Sequence, residues 1–176
     1  MKSEKCDITP DVWQWARQLA TQIEGTGLFK TPNYTGLARD DRFVIGYAGE
    51  WVFREWLTQN NVKHDYRVKT DGRSQRSEFI VWREGQPKAV EVKTASKAHY
   101  RKLMWPAAQA MDWAAVVGVR ISGNLGEVMG WLQRQDIESR TSIMPGVDGV
   151  PTRQVDYEEL RAPSEFVSMV ETILRG

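Results

Sequence analysis

The stretch 78-EFIVWREGQPKAVEVKT-94 decides the fold, because it has the pattern of two β-strands joined by a tight turn. Residues 78–83 are rich in β-branched and aromatic side chains, residues 84–87 carry turn residues, and residues 89–94 alternate apolar and polar positions. The two runs predict an antiparallel hairpin. On its second strand, alternation directs the valines toward a core and places Glu91 and Lys93 together on the opposite face.

The rest of the chain alternates between helical and strand patterns. Helices are predicted over residues 10–24, 43–60, 96–113 and 157–174, further strands over 62–69, 114–121 and 127–132, and loops over 25–42 and 140–152. This order predicts one α/β domain over residues 1–176, with a mixed central β-sheet flanked by helices. Its core spans about residues 43–132, and the N-terminal and C-terminal helices pack on it.

Composition bounds the class of protein. The chain has 176 residues, 41% of them hydrophobic, which is enough for one packed core. A single cysteine excludes an internal disulfide, no apolar run reaches the roughly 20 residues of a membrane span, and the N-terminus has no apolar signal core. We therefore expect a soluble cytoplasmic protein without membrane contact. Of the eight tryptophans, Trp105 is the best candidate for stacking on a base, and most of the others are expected in the core.

Charge is distributed unevenly along the chain. Residues 62–102 contain 11 Lys and Arg against 5 Asp and Glu, a local net charge of +6, whereas residues 127–176 carry a net charge of −4. A polyanionic partner explains this basic middle segment, and so does an ordinary solvated basic face.

The hairpin brings a second carboxylate toward the Glu91 and Lys93 pair. Glu78 opens the first strand and lies thirteen residues before Glu91, a separation that fits two antiparallel strands and their turn. Two carboxylates held close together repel unless one is protonated or a cation joins them, and oxygen ligands suit Mg²⁺. No His or Cys cluster points to zinc. The alternative is that all three are solvated strand residues.

A third acid comes from the second predicted helix, in 46-GYAGE-50. Gly46 and Gly49 each cost helix stability, roughly 1 kcal/mol against alanine, and small residues there would let the helix approach the sheet closely. Glu50 would lie beside the apolar stripe of the helix and needs a partner. An acid at the surface, or one satisfied locally, explains it equally well.

The order of these motifs resembles that of the PD-(D/E)xK nuclease superfamily. G-x-x-G-E lies on a helix, an acid opens the following apolar strand, and V-E-V-K-T lies on the next strand. The later segments agree, since Asp112-Trp113-Ala114 leads into a buried strand that is followed by EVMGWL. The resemblance covers residues 43–132, about half the chain. It implies a restriction-endonuclease-like core.

The resemblance also implies Mg²⁺-dependent hydrolysis of DNA phosphodiester bonds, with Mn²⁺ able to substitute. Glu78 and Glu91 match the two family acids, Lys93 matches the lysine and Glu50 matches the helix glutamate. Glu78, Glu91 and the carbonyl of Val92 would hold the metal, and Glu50 would hold a second cation or a metal-bound water. Lys93 would orient the attacking water or stabilise charge on the phosphate.

Contacts to nucleic acid are expected from residues around this motif. The candidates are Lys97, Arg101 and Lys102 on the predicted helix after the hairpin, Arg73 and Arg76 in the loop before it, and Gln109 as a supporting polar residue. A solvated helix face explains the basic residues equally well, and a surface glutamine is the commoner explanation for Gln109.

One departure from the family pattern keeps alternatives open. The usual Pro-Asp is here Ser77-Glu78, and Asp71 or Asp65 offers another first acid. The main hypothesis is an endonuclease of restriction, homing, junction-resolving or repair type that acts on double-stranded or branched DNA. Because cutting two strands takes two sites, we expect a homodimer or higher homo-oligomer. The alternatives are a catalytically weak or inactive nucleic-acid-binding domain of the same fold, and an interaction or structural domain.

Overall fold

The computed structural model describes residues 4–24, 39–67, 79–96, 101–146 and 149–173. In chain order the helices and strands are β1 (Lys5–Asp7), α1 (Pro10–Glu24), α2 (Arg39–Gln59), β2 (His64–Tyr66), β3 (Phe79–Arg83), β4 (Gln86–Ala95), β5 (Lys102–Pro106), β6 (Ala115–Ser122), β7 (Leu125–Gln133), α3 (Ile137–Arg140), β8 (Ser142–Pro145), β9 (Pro151–Asp156) and α4 (Pro163–Met169).

The main sheet has six strands in the order β1-β7-β6-β4-β3-β2. Its centre is the predicted hairpin, in which Phe79 of β3 pairs with Val90 of β4 and the turn falls at Glu84 and Gly85, both at positive φ. Strand β4 runs parallel to β6, and the other neighbours are antiparallel. The prediction of an α/β protein with a mixed sheet flanked by helices is confirmed.

One face of the main sheet packs against helices α2 and α4. Val90 and Val92 of β4 enter the same buried cluster as Phe53 of α2 and Phe166 of α4, whose rings meet edge to face at 5.8 Å. Helix α1 packs on α2 in a smaller cluster. The predicted helix over 10–24 is confirmed, and α2 begins at Arg39, within the predicted loop. The helices thus form one layer over this face.

The opposite face is covered by a second sheet of three strands, in the order β5-β9-β8. Leu103 and Trp105 of β5 pack with Val116 of β6 in a second buried cluster. The prediction of a helix over residues 96–113 is therefore wrong for its described part, because Lys102–Pro106 alternates exposed and buried positions with the period of a strand. Residues 97–100 of that prediction lie outside the described residues.

Two predictions near the C-terminus are also wrong. Residues 140–152 were expected as loop, but residues 142–145 form β8 and pair with β9, which begins at Pro151 within the predicted loop. The predicted closing helix is reduced to a 3₁₀ turn at Tyr157–Glu159 and the seven residues of α4, which starts at Pro163. Between them Arg161 exchanges backbone hydrogen bonds with Trp131 of β7, so the chain is extended there. Strand β1 was not predicted, because three residues carry too little pattern.

Candidate functional site

Glu91 and Lys93 lie on β4 and point toward the second sheet, as the alternation of the strand requires. Glu91 is buried at 4% exposure, and the Lys93 side chain is 14% exposed. Lys93 Nζ donates to Glu91 Oε1 at 2.7 Å. The interpretation of these two residues as a solvated surface pair is therefore wrong: they form an ion pair largely removed from water.

Gln109 completes this cluster. Its Nε2 donates to Glu91 Oε1 at 3.0 Å, and its Oε1 accepts from Lys93 Nζ at 2.9 Å. A carboxylate only accepts and an ammonium only donates, so these two partners fix the orientation of the amide. Gln109 is neither on a helix nor on the open surface, and it bridges the two charged groups. We call Glu91, Lys93 and Gln109 the acid–lysine cluster.

The turn that carries Gln109 is anchored on both sides by buried tryptophans. Trp105 lies near the end of β5 and Trp113 precedes β6, and their rings meet edge to face at 6.4 Å inside the second core cluster. The backbone N–H of Ala107 donates to Pro151 of β9 at 2.8 Å. The expectation of Trp105 as a base-stacking residue is wrong, since its side chain has no exposure. Its structural role is to hold the turn.

Glu50 is held on α2, where that helix touches β4. A Cβ atom added to Gly49 would lie 2.7 and 2.8 Å from Cγ2 and Cβ of Thr94, so only glycine allows this approach. The predicted close contact is confirmed at Gly49, whereas nothing surrounds Gly46. Glu50 is 8% exposed, and its Oε2 accepts a 2.7 Å hydrogen bond from Tyr66 of β2.

Tyr66 is the polar partner that sequence reasoning missed. Its ring stacks on Phe79 of β3 at 4.8 Å, and Arg54 of α2 lies 5.9 Å above it. A tyrosine on a short strand is typical of ordinary packing, so no pattern along the chain separates it from a core residue. Only the pairing of β2 with β3 beside α2 brings its hydroxyl to Glu50.

The remaining predicted residues divide into two groups. Glu78, Asp71, Arg73, Arg76 and Lys97 lie outside the described residues. Arg101 and Lys102 are exposed. Each forms a long ion pair with an acid: Arg101 lies 4.0 Å from Glu158, and Lys102 lies 3.9 Å from Asp156. Their predicted helix is absent, because Lys102 begins β5. Asp65 is exposed on β2, and the side chain of Val92 is buried in the core.

The atoms in the acid–lysine cluster that could coordinate a metal are carboxylate and amide oxygens, the kind of ligand that Mg²⁺ prefers. Among residues that the structure describes, no three His, Cys, Asp or Glu side chains come together as a metal-binding group. Phe79, the residue after Glu78 in the sequence, pairs with Val90 in the sheet.

Comparison with known proteins does not assign the chain to a family. The chain matches no protein-family model and has no significant match among curated proteins. No helix in the described ranges is long and apolar enough to cross a membrane.

Proposed function

We propose that this protein is a Mg²⁺-dependent endonuclease that hydrolyses DNA phosphodiester bonds through a PD-(D/E)xK site on a restriction-endonuclease-like core. The observation that carries the proposal is the buried contact of Glu91 with Lys93, two residues apart on one strand and bridged by Gln109. Burying an ion pair costs desolvation that an apolar pair of similar volume avoids. Charged groups kept inside a protein at such a cost are frequent at functional sites.

Glu78, Glu91 and the Val92 carbonyl would hold the Mg²⁺, with Mn²⁺ as a substitute, and Glu50 would support a second cation or a bound water. When bound, such a metal lowers the pKa of a water molecule and neutralises charge on the phosphate. Glu91 supplies a buried carboxylate that few competing waters reach. Tyr66 holds the Glu50 carboxylate in one orientation through its hydroxyl.

The chain's own cation would act on the phosphate. Lys93 is positioned by its hydrogen bonds to Glu91 and Gln109. It would orient the attacking water or stabilise the charge that develops on the phosphate. Gln109 acts as a positioning residue, because it hydrogen-bonds to both charged groups and fixes their relative position. The buried turn at Trp105 and Trp113 keeps it in place.

Double-stranded or branched DNA is the proposed substrate, and a homodimer or higher homo-oligomer is the proposed assembly. The basic segment 62–102 supports a polyanionic partner. Its members Arg101 and Lys102 are exposed, as contacts to backbone phosphates require. The acids Glu158 and Asp156 lie at long distance from them and offset part of this charge.

A second candidate is a DNA-binding domain of the same fold that does not cleave. It is favoured by the direct contact of Lys93 with Glu91 Oε1, since the lysine already neutralises the carboxylate that a cation would need. The replacement of the family's Pro-Asp by Ser77-Glu78 points the same way. The two candidates differ in one measurable property, the cleavage of DNA in the presence of divalent metal.

The test is cleavage of supercoiled, linear, branched and single-stranded DNA with Mg²⁺ or Mn²⁺. Wild type is compared with Glu91→Gln and Lys93→Met, which keep side-chain size, and with Glu78→Gln. We expect each substitution to lower the cleavage rate at least about 100-fold, the size typical of losing one preorganised charge-stabilising group. Gln109→Leu and Glu50→Gln should lower it about 10- to 100-fold, as supporting residues do.

Glu84→Gln is the matched control, because Glu84 is an exposed acid on the turn between β3 and β4. Its rate should equal that of wild type. DNA cleavage that survives both Glu91→Gln and Lys93→Met would exclude the nuclease proposal for this site. Salt-sensitive DNA binding without cleavage under any metal condition would establish the second candidate instead.

A further inference from the structure

A cavity of about 600 Å³ lies on the helix side of the main sheet, at the end where β3 turns into β4. Its walls are that end of the hairpin, the segment before β6, the 3₁₀ turn after β7 and the end of α4. Cavities that bind small molecules span about 300–1,000 Å³ and combine an apolar lining with a few polar groups. We call this space the hairpin cavity.

The floor of the hairpin cavity is apolar. It is formed by Val81 and Val90 of the sheet with Phe166, Met169 and Val170 from α4 and the residue after it. All but Met169 are members of the buried core. Met169 is fixed beside the sheet, since its Sδ accepts from Nε2 of Gln133 at 3.3 Å. Val81, Val90 and Phe166 are each 1% exposed, so the apolar surface that a ligand would meet belongs mainly to Met169, Met111 and Ala114, which also line the cavity.

The rim of the hairpin cavity is positively charged. Arg83, Lys88 and Arg134 line it, against Glu138 as the one lining carboxylate among described residues. The Arg83 Nε lies 3.5 Å from exposed Glu84, a weak surface pair. Lys88 and Arg134 have no side-chain hydrogen bond or ion pair within the described ranges. Two cations with free donors beside an apolar floor are complementary to an anion joined to an apolar body.

This cavity is separate from the acid–lysine cluster. Lys88 and Val90 occupy alternate positions of β4 and face the helices, whereas Glu91 and Lys93 face the second sheet. A ligand in the hairpin cavity would therefore leave the proposed nuclease site unobstructed.

We propose that the hairpin cavity is a binding site for a small amphipathic anion, a carboxylate or phosphate carried on an apolar chain or ring. The apolar part lies along Met111, Ala114 and Met169, and the anionic group meets Lys88 and Arg134 at the rim. The pairing of both features decides the ligand class: the floor alone would accept any apolar molecule, and the rim alone would accept any anion.

Octanoate is the probe for the test, measured by calorimetric titration of the full chain. We expect saturable binding with one site per chain, at least about tenfold tighter than octanol or acetate, since each of these lacks one of the two features. The Lys88→Glu/Arg134→Glu double variant should weaken octanoate binding by at least about tenfold, because two favourable charges become repulsive. The control for reversing a surface charge away from the cavity is Arg17→Glu, an exposed residue of α1, which should bind like wild type.

A second variant tests the floor. Ala114 is exposed and lines the cavity, so Ala114→Trp fills the space without removing a core side chain. Octanoate binding should be lost, while the circular dichroism spectrum and the thermal midpoint stay close to those of wild type. The proposal is overturned if octanoate shows no saturable binding at millimolar concentration, if octanol or acetate binds as tightly, or if either cavity variant binds octanoate like wild type.

Discussion

At the scale of single residues, the acid–lysine cluster shows how two charges remain inside the protein. Glu91 and Lys93 neutralise each other at 2.7 Å, and the amide of Gln109 donates to the same Glu91 oxygen and accepts from Lys93. Charge-assisted hydrogen bonds of this kind are shorter and stronger than neutral ones, and the low dielectric of the interior strengthens them further. The cluster is therefore expected to behave as a coupled unit.

A double-mutant cycle of Glu91→Gln and Lys93→Met measures this coupling. We expect an interaction free energy of about 0.5–3 kcal/mol, the range for residues in one buried network, from urea unfolding of the four proteins. Lys102 and Asp156 form the control pair, because both are about half exposed and 3.9 Å apart. Their cycle should give about 0.5 kcal/mol or less. Equal values for the two cycles would contradict an interior ion pair.

Cys6 provides a second test at this scale. Burial raises the pKa of its thiol from 9.0 to about 11, with smaller contributions from the negative charges of Glu55 and Asp7. At pH 8 the thiolate is then about 100-fold scarcer than in an ordinary cysteine, and the higher nucleophilicity of a more basic thiolate recovers about tenfold. Disulfide exchange with a dithiodipyridine reagent should therefore be roughly tenfold slower than in the urea-unfolded chain.

The variant Glu55→Gln refines this measurement. Removing that negative charge should lower the thiol pKa and speed the reaction, while the unfolded rate stays unchanged. A folded rate equal to the unfolded rate would show that Cys6 is not shielded.

At the scale of elements, α2 lies close to the sheet because glycine occupies its contact points. Gly49 of α2 faces Thr94 of β4, and on the sheet side Gly126 of β7 faces Val52 of α2. This spacing carries Glu50 to Tyr66, so the position of one acid depends on a missing side chain one residue away.

Gly49→Ala is predicted to destabilise the protein by about 1–3 kcal/mol, because the new methyl group overlaps both the side chain and the Cβ of Thr94. Gly46→Ala is the matched control on the same helix. Nothing lies within 4 Å of a Cβ there, so it should stabilise by about 0.5–1 kcal/mol through helix propensity. Thermal and urea unfolding report both, and a neutral Gly49→Ala would mean that α2 and β4 are not in contact.

Elements also show where local patterns fail. The β3–β4 hairpin is predicted correctly, since its strand period and turn agree. Strand β5 is mistaken for a helix because its five residues lie in a longer segment of mixed polar and apolar residues. The pattern of this segment fits both the helical period and the strand period. Its strand form is decided by backbone pairing with β9, about fifty residues later in the chain, which no local pattern contains.

At the scale of the whole molecule, buried weak acids predict a loss of stability in alkali. Burial raises the pKa of Tyr157 from 10.0 to about 12, with Arg120 lowering it and Glu127 raising it, and the Cys6 thiol is raised to about 11. The unfolded chain releases these protons first, so the stabilisation is complete below pH 9 and falls as pH rises, most steeply between pH 10 and pH 11 where both groups contribute.

Urea unfolding from pH 7 to pH 12 measures this fall. Cys6→Ala should remove the decrease in stability that begins near pH 9. Tyr157→Phe should remove the decrease that begins near pH 10. The Tyr157 hydroxyl is buried without a hydrogen-bond partner in the described part of the chain. Its removal should therefore leave stability at pH 7 unchanged or higher. Identical pH profiles for all three proteins would contradict the assigned shifts.

The sequence by itself determined the mixed α/β class, the hairpin, helices α1 and α2, and the candidates Glu50, Glu91 and Lys93. Each depends on local information: the period of apolar residues, a turn, or charged residues placed on an otherwise apolar strand or helix. Gln109 was also a candidate from the sequence, but as a surface or supporting residue rather than as the bridge between two buried charges.

Only the tertiary structure decided the burial of Glu91 with Lys93, the position of Gln109, the contact of Tyr66 with Glu50, and the second sheet. These features join residues that are distant in the chain, so their free energy arises from desolvation and packing between elements rather than from local preference. An acid and a lysine two residues apart look the same on a solvated strand as on a buried one. The second sheet removes water from this pair and makes the difference.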